Sequence, residues 1–434
     1  MQNDRLDPQR TAVVFFDTLK VYAYDRELKG VAPEARFQVD ALAGLAEMAR
    51  SANIPIFYAR ADHRPDGKDA SPIITDLSLA QRSGSDTLSH AWGTEAANII
   101  DEIAPRPGDY QIFKHRWSAF YQTELELSLR ARGVDTILLA GGSTEVGVAS
   151  TAYEGRDLDF NVVLVQETMR SGRGPWVSDF FVNQVAPGIA RIRSLQQVGD
   201  LLGVSAKSLA GTAPEGGEPS RMAPPANDPP LDPKQTGVVI FDMLKGGNYD
   251  GESGKLKSES RPFIEAGARM VEVARRLGLP IFYTQPIHRE DGADWCSALT
   301  DRVGRPNVER FGKLRINPGS FAGSRQAEVV DEVAPQAGDY IIRKHRYNAF
   351  HGTPLELSIH RAGVTNVLLA GAAINAGVAS TAYGARDRDF NLITLRDACR
   401  SGDPAITSYF MDHVFPRMGR VRTVDEVTAL LEKG

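Results

Sequence analysis

The chain carries the same sequence twice, and this internal repeat constrains its fold more than any other feature. Segment 147–161 matches segment 377–391 at 12 of 15 positions. Lys344 follows Lys114 at a distance of 230 residues, and Gly377 follows Gly147 at the same distance. A chain of 434 residues is too long for one hydrophobic core. The repeat therefore predicts two similar domains in tandem.

The stretch between the two copies has a different composition. Residues 211–230 are rich in proline and glycine and show no apolar periodicity, which is typical of a linker. The sequence therefore predicts a first domain over residues 1–205, a linker over 206–229 and a second domain over 230–434.

Composition excludes several classes of partner. With 24% charged residues and 42% hydrophobic residues the composition is that of an ordinary soluble globular protein, and a net charge of -5 gives no case for binding nucleic acid or an anionic membrane. The amino terminus lacks the apolar core of a signal peptide, and no apolar run is long enough to span a bilayer. The two cysteines, Cys296 and Cys399, form neither a disulfide framework nor a metal cluster, and we expect packing roles for them. We expect a cytoplasmic protein.

Short apolar strands alternate with helical segments in each copy. This alternation predicts parallel βαβ units and a doubly wound α/β sheet. Ligands of such sheets bind beyond the carboxyl ends of the strands, where the winding reverses. In the first copy the predicted strands are 12–16, 55–58, 110–113, 136–140, 162–165 and 191–193, and the predicted helices are 37–50, 125–131 and a helix from Val148.

Three features lie where predicted strands end. Asp17 ends one strand, Lys114 ends another, and the turn 141–147 follows a third. One edge of the sheet would therefore hold all three. A carboxylate beside an ammonium group forms an acid–base pair. The second copy repeats these features as Asp242, Lys344 and the turn 371–377.

These motifs, in this order and present twice, resemble the isochorismatase-like hydrolases, also called cysteine hydrolases. The resemblance covers both copies nearly end to end. It is carried by the strand that ends in Asp, by the segments Lys114–Phe120 and Lys344–Phe350, and by the turn that leads into Val-Ala-Ser-Thr-Ala. The resemblance implies a six-stranded parallel sheet flanked by helices, and a site built from Asp, Lys and Cys. It also raises the question of whether the Ser143–Thr144 and Ala373–Ile374 peptide bonds are cis.

Both copies depart from the family pattern at the nucleophile. Gly147 and Gly377 occupy the position of the cysteine, and glycine has no group that could attack a carbonyl. Hydrolysis through a thioester is therefore not expected. The Asp and Lys positions do match, and the predicted catalytic residues are Asp17, Lys114, Asp242 and Lys344.

An acid without a nucleophile suits hydrolysis by protonation and addition of water. This resembles the isochorismatase branch of the family, whose members can lack the cysteine and cleave an enol (vinyl) ether with Asp as general acid. Glycine at the turn would leave room for a substrate ring and expose backbone N–H groups to an anionic substituent. We therefore expect a hydrolase of a small carboxylated metabolite. The expectation requires each carboxylate to face its lysine, and the space above Gly147 and Gly377 to be free of apolar side chains.

Further residues are candidates for substrate binding. Gln285 lies in a Tyr-Thr-Gln-Pro segment that resembles a segment of the isochorismatase branch. Arg116 and Arg346 could each bind a carboxylate through two hydrogen bonds, or could form structural ion pairs with Asp157 and Asp387. The remaining predicted substrate-binding residues are Trp117, Tyr347, Gly147 and Gly377.

Other functions stay open. The segments Arg64–Gly67 and Lys114–Phe120 look closer to the branch that cleaves ureides and amides, which would need water or a substitute nucleophile such as Ser118 or Ser143. The repeated His-Arg-x-Asp-Gly sequence that begins at His63 could form a turn, a substrate loop or a metal site, but one histidine near carboxylates does not make a metal site. The chain could also be a non-catalytic metabolite-binding protein or scaffold.

The expected partners follow from these alternatives. We expect a small-molecule substrate, no cofactor and no metal. The two copies could form an intrachain pseudo-dimer, and the chain could associate further as a homo-oligomer.

Overall fold

A computed structural model of the chain describes residues 6–80, 91–222, 225, 227–302 and 322–434. These residues form two compact units, each built around a sheet of six parallel strands. Of the described residues, the first unit contains 6–71, 91–220 and 298–302. The second unit contains 72–80, 322–434 and the described part of 221–297.

The first sheet confirms the predicted α/β class. Its strands are β1 (Thr11–Phe16), β2 (Ile56–Ala61), β3 (Tyr110–Lys114), β4 (Thr136–Gly142), β5 (Asn161–Arg170) and β6 (Arg191–Arg193). The α-helices of the first sequence copy are α1 (Lys20–Ala23), α2 (Arg36–Ser51), α3 (Asp76–Ala80), α4 (Leu125–Ala131), α5 (Ala149–Asp157), α6 (Pro175–Phe180) and α7 (Leu195–Leu202). Of these helices, α3 packs in the second unit.

The second sheet repeats the first. Its strands are β7 (Thr236–Phe241), β8 (Ile281–Pro286), β9 (Tyr340–Lys344), β10 (Asn366–Ala372), β11 (Asn391–Arg400) and β12 (Arg420–Arg422). The α-helices of the second copy are α8 (Lys245–Asn248), α9 (Arg261–Leu277), α10 (Leu355–Arg361), α11 (Ala379–Asp387), α12 (Pro404–Tyr409), α13 (Phe415–Met418) and α14 (Val424–Leu431).

Strand order places the candidate site. The first sheet runs β3-β2-β1-β4-β5-β6 and the second runs β12-β11-β10-β7-β8-β9, so the winding reverses between β1 and β4 and between β7 and β10. All six residues of β1 are buried, because helices cover a parallel sheet on both faces. Asp17 follows β1 directly, so it lies at the reversal point where such folds bind ligands.

Local sequence explains where the main helices begin and end. Helix α2 buries Val39, Leu42 and Leu45 at helical spacing against the sheet. Helix α7 begins at a capping box, in which Ser194 and Gln197 each accept a hydrogen bond from the other residue's backbone N–H. Among the helices of the described chain, none is both long enough and apolar enough to cross a membrane.

The buried carboxylate of Asp76 binds residues 72–80 to the rest of the second unit. The Oδ2 atom of Asp76 accepts a hydrogen bond of 2.9 Å from the backbone N–H of Val421, and its Oδ1 lies 2.8 Å from the Arg422 guanidinium. Arg422 also contacts Asp228 at 2.6 Å, and its side chain is 3% exposed. Asp301 plays the matching part in the first unit, where it contacts Arg193 at 2.9 Å, but its side chain is 31% exposed.

Replacing Asp76 by alanine is expected to destabilise the second unit by about 3 kcal/mol, because it leaves a buried guanidinium short of one counter-charge. The matched change Asp301→Ala removes a more exposed pair and is expected to cost about 1 kcal/mol or less. Urea unfolding of the full chain measures both effects. Equal losses of stability would contradict the assignment of Asp76 to a buried ion-pair network.

Candidate active site

Each unit brings an aspartate and a lysine into contact at the carboxyl ends of two strands that are separated by one intervening strand, β2 in the first sheet and β8 in the second. In the first unit Lys114 Nζ lies 2.8 Å from Asp17 Oδ2, and in the second unit Lys344 Nζ lies 2.7 Å from Asp242 Oδ2. The lysine side chains are 4% and 5% exposed, whereas the aspartates are 12% and 16% exposed. Each carboxylate therefore faces its lysine, as expected, and remains within reach of a small molecule.

Both aspartates adopt a backbone conformation that favours glycine. The φ angle is +43° at Asp17 and +46° at Asp242. A side chain in this left-handed region costs on the order of 1 kcal/mol. Aspartate enters this region more readily than most residues, and Asp159 and Asp389 also adopt it, so the contact with a buried lysine is what distinguishes Asp17 and Asp242.

The second oxygen of each carboxylate has its own donor. Asp17 Oδ1 accepts a hydrogen bond of 2.8 Å from the backbone N–H of Ala61. Asp242 Oδ1 accepts one of 2.6 Å from the hydroxyl of Thr284. Burial raises the pKa of Asp242 above its ordinary value, although the Lys344 ammonium and the Thr284 hydroxyl both act to lower it.

The turn after β4 and its copy after β10 follow a shared path. The cis peptide bonds are Gly142–Ser143 and Ala372–Ala373, one residue earlier than the bonds that the family resemblance indicated. A π-helical turn then leads into α5 and α11. A Cβ on Gly141, whose φ is +133°, would lie 2.1 Å from the carbonyl oxygen of Phe16, so only glycine fits.

The expected room above the two nucleophile-position glycines is absent. A Cβ on Gly147 would lie 2.1 Å from Cζ of Phe16, and a Cβ on Gly377 would lie 2.2 Å from Cζ of Phe241. Both phenylalanine rings are 1% exposed. The prediction that these glycines leave space for a substrate ring is therefore wrong, because the aromatic residue before each aspartate fills the volume of the missing cysteine.

The rings of Phe16 and Phe241 also contact the ammonium groups of Lys114 and Lys344. Lys114 Nζ lies 4.2 Å from the ring centroid of Phe16, and Lys344 Nζ lies 4.5 Å from that of Phe241. Each ammonium thus contacts both a carboxylate and an aromatic ring. Sequence reasoning missed this role, although an aromatic residue precedes the aspartate in both copies.

This arrangement of strand-end Asp, strand-end Lys and a turn into a helix, built twice, accords with the match to a family model. The model described as the isochorismatase domain matches residues 11–197 and again residues 236–426. The chain belongs to the isochorismatase family. Its two sheets are thus a tandem duplication of the isochorismatase fold.

Relatives of this isochorismatase-family chain include named hydrolases. It is 34% identical over 169 residues to the isochorismatase family protein YwoC of Bacillus subtilis strain 168, which covers 39% of this chain and 82% of that protein. It is 31% identical over 198 residues to the ureidoacrylate amidohydrolase RutB of Methylobacterium radiotolerans, with 43% of this chain and 73% of that protein covered. The solved N-carbamoylsarcosine amidase from Thermoplasma acidophilum is 27% identical with a TM-score of 0.35, and the match covers 44% of this chain and 97% of that chain.

The serines considered as substitute nucleophiles have other contacts in this isochorismatase-family chain. Ser118 is fully buried, and its hydroxyl accepts a hydrogen bond of 3.1 Å from the N–H of Phe120. Asn348 accepts the equivalent hydrogen bond of 2.9 Å from Phe350. Because Ser118 and Asn348 accept the same backbone hydrogen bond in the two units, the side chain at this position stabilises the loop that follows β3 and β9. Ser143 donates to the carboxylate of Glu145 at 3.1 Å.

Both cysteines are buried, as expected for packing residues. The thiol of Cys399 donates to the carbonyl of Leu369, and burial raises its pKa to about 12. A thiol that stays protonated near neutral pH is a poor nucleophile.

The predicted substrate contacts lie near the site but already have hydrogen bonds within the protein. Gln285 donates to the carbonyl of Ala327 at 3.4 Å. Arg116 donates to the carbonyls of Asp69 and His115, and Arg346 donates to those of Asp294 and His345. Trp117 and Tyr347 are half-buried. Substrate binding by these residues stays a prediction.

The His-Arg-x-Asp-Gly segments form turns that bring two histidines to one aspartate. Asp69 Oδ2 lies 3.6 Å from Nδ1 of His63 and 3.5 Å from Nε2 of His115, and the second unit repeats the cluster around Asp294. Burial lowers the pKa of His288 in that second cluster. Within the described residues, no group of three or more His, Cys, Asp or Glu side chains is arranged to hold a metal ion.

Proposed function

We propose that the chain hydrolyses a small carboxylated molecule by acid–base catalysis at its Asp–Lys pairs, without a covalent intermediate. The family and its amidohydrolase relatives support a hydrolase as the general class. The observation that carries the finer proposal is the aspartate itself. It contacts a buried lysine in both units, at the place where the winding of each sheet reverses.

The nucleophile position supports a non-covalent route. Gly147 and Gly377 have no reactive group, and the phenylalanine rings occupy the volume that a cysteine side chain would need. The groups left at the strand ends are a carboxyl group and an ammonium group. These groups can move a proton and orient water or substrate, which typically accounts for 10²–10⁴-fold of rate as an order of magnitude.

For an enol ether, the chemistry would run in three steps. The aspartic acid gives its proton to the vinyl carbon, and positive charge develops on the carbon bound to the ether oxygen. Water adds to that carbon, and the resulting hemiketal breaks into a carbonyl compound and an alcohol. The proton that water releases restores the acid, so the cycle balances without another reactant. The lysine ammonium would keep the carboxyl group in place throughout.

The two units differ in the charge of one residue in the π-helical turn. Glu145 lies in the first π-helical turn, 1% exposed, and Asn375 occupies the equivalent place in the second. A buried carboxylate disfavours an anionic substituent nearby, whereas a neutral amide does not. The second site therefore suits a carboxylated substrate better than the first.

A second candidate is a non-catalytic metabolite-binding protein. The apolar rings above both glycines favour it, because the hydrolase expectation required that space to be free and no nucleophile stands there. In the proposed hydrolase the substrate would therefore lie against the exposed part of each carboxylate and not above the glycine. Turnover separates the two candidates, because a binding protein keeps its ligand unchanged.

The deciding experiment is a turnover screen of the full chain against carboxylated enol ethers, ureides and amides. The reaction is quenched with acid during turnover, and the intact mass of the protein is measured. We expect hydrolysis of at least one class with no mass added to the protein. An adduct on the chain would overturn the non-covalent route, and binding without turnover in every class would support the second candidate.

A further inference from the structure

The two aspartates are held by different kinds of hydrogen-bond donor. In the first unit Ala61 pairs with Lys114 in the register of β2 and β3, and its backbone N–H donates to Asp17. This N–H can only donate. The other carboxylate oxygen faces the Lys114 ammonium, which also can only donate.

The second unit cannot use the same donor. Pro286 pairs with Lys344 at the register position of Ala61, and proline has no N–H. The hydroxyl of Thr284 donates to Asp242 in its place, from the strand position that Ala59 holds in the first unit. Thr284 is fully buried, and its oxygen also accepts a hydrogen bond of 3.2 Å from the N–H of Asp242.

This difference decides where a proton can be held. A protonated carboxyl group needs an acceptor for its O–H, and a hydroxyl oxygen has two lone pairs, so it can turn and accept. A protonated Asp242 would keep its hydrogen bond to Thr284. A protonated Asp17 would face a donor on either oxygen and would lose one of its hydrogen bonds.

We propose that Thr284 is a positioning residue that lets Asp242 hold and deliver the catalytic proton, whereas the N–H of Ala61 keeps Asp17 as a carboxylate. The acid step of the proposed function then belongs to the second unit. In the first unit the carboxylate would orient water or substrate and would not carry the proton of the acid step. This inference rests on the proposed function for its catalytic meaning, but the protonation difference can be measured without turnover.

The surroundings of Asp242 agree with this assignment. Lys344, at the end of β9, is the charged group in contact with it, and Thr284 on the intervening strand β8 is its other side-chain partner. Burial outweighs both and raises the pKa of Asp242. The neutral Asn375 at the nearby turn adds no further charge, unlike Glu145 in the first unit.

The test exchanges the two arrangements in the full chain. The first variant, Thr284→Ala with Pro286→Ala, gives the second unit the residues of the first. The converse variant, Ala59→Thr with Ala61→Pro, gives the first unit those of the second. Aspartate labelled with ¹³C at the carboxyl carbon reports each titration by NMR, and Asp17→Asn and Asp242→Asn assign the two signals.

In the wild-type chain we expect Asp242 to titrate at a higher pH than an ordinary aspartate. The first exchange should lower the Asp242 midpoint by about one pH unit, and the converse exchange should raise the Asp17 midpoint by about as much. Thr284→Ser should leave the Asp242 midpoint in place, and Thr284→Val, which removes the hydroxyl and leaves Pro286, should move it. If an exchanged chain fails to fold, the comparison of the Asp242 midpoints in Thr284→Ser and Thr284→Val tests the inference instead. An Asp242 midpoint that is the same in the wild-type chain, in the first exchange and in Thr284→Val would overturn the inference, whether or not turnover has been found.

Discussion

Replacing Asp242 by asparagine is expected to lower kcat/KM by about 10²–10⁴-fold, because an amide cannot deliver the proton that a general acid supplies. The side chain keeps its size and can still accept a hydrogen bond from Thr284. The matched change Asp17→Asn removes a carboxylate whose two oxygens accept from the N–H of Ala61 and the ammonium of Lys114, and its expected loss is below about tenfold. Initial rates of both variants on the substrate found by the turnover screen measure the difference.

The assignment of Asp242 as the general acid also predicts how the rate changes with pH. Since burial raises the pKa of Asp242, the protonated acid persists to higher pH than for an ordinary aspartate. The rate should be fully present below that pKa and fall as the pH rises through it. Asp242→Asn should remove this dependence along with the activity.

Folding must be checked in the Asp242 variant, because the change leaves the ammonium of Lys344 buried without its counter-charge. The double change Asp242→Asn with Lys344→Met removes both charges and serves as the control. Both variants should lose turnover if the acid is essential. Full activity in either of them, or a larger loss in Asp17→Asn, would contradict the assignment of the acid step to the second unit.

Restoring a cysteine at Gly147 is expected to destabilise the chain and to add no activity. The new Cβ would lie 2.1 Å from Cζ of Phe16 and 3.1 Å from the carbonyl of Trp117, so the ring must shift. Forcing atoms into a packed core typically costs about 1–3 kcal/mol. Chemical denaturation of the full chain measures the loss.

A double-mutant cycle isolates the cause of that loss. Phe16→Ala removes the ring, so Gly147→Cys should cost much less in the Phe16→Ala background than in the wild-type chain. Gly172→Cys is the matched control, since a Cβ there meets nothing within 4 Å, and it should be nearly neutral. Two results would show that the ring does not fill the nucleophile volume. One is a Gly147→Cys variant that is as stable as the wild-type chain. The other is a double variant whose loss of stability equals the sum of the losses in Phe16→Ala and Gly147→Cys.

Much of the scaffold could be predicted from sequence because each feature is local. Apolar runs ending at Asp17 and Lys114 predicted strands and their ends, and the parallel sheet then brought those ends to one edge. The repeat extended the same argument to the second unit. Strand order places Asp17 and Lys114 at the same edge with β2 between them, and the length of the lysine side chain closes the remaining distance.

The filling of the nucleophile volume could not be predicted in the same way. Phe16 is the last residue of β1, and the left-handed conformation of Asp17 changes the chain direction directly after it. Where the ring points depends on that turn and on the close approach of Gly141 and Gly147. The space beside a glycine can be an open pocket or can be filled by the side chain of a neighbouring residue. The sequence alone does not show which of the two occurs.

The different carboxylate donors left a trace in the sequence. Proline at position 286 removes an N–H that alanine at position 61 supplies, and threonine at position 284 replaces alanine at position 59. The meaning of these two changes appears only when the strand register places both beside the aspartate. The packing of residues 72–80 in the second unit left no such trace, because it depends on contacts such as that between Asp76 and Arg422, which are far apart in sequence.

Turnover by the double variant Asp17→Asn with Asp242→Asn tests the central claim most directly. The wild-type chain is expected to hydrolyse a carboxylated substrate, and the folded double variant is expected to bind it without hydrolysing it. Hydrolysis by the double variant at the wild-type rate would contradict acid–base catalysis at these carboxylates.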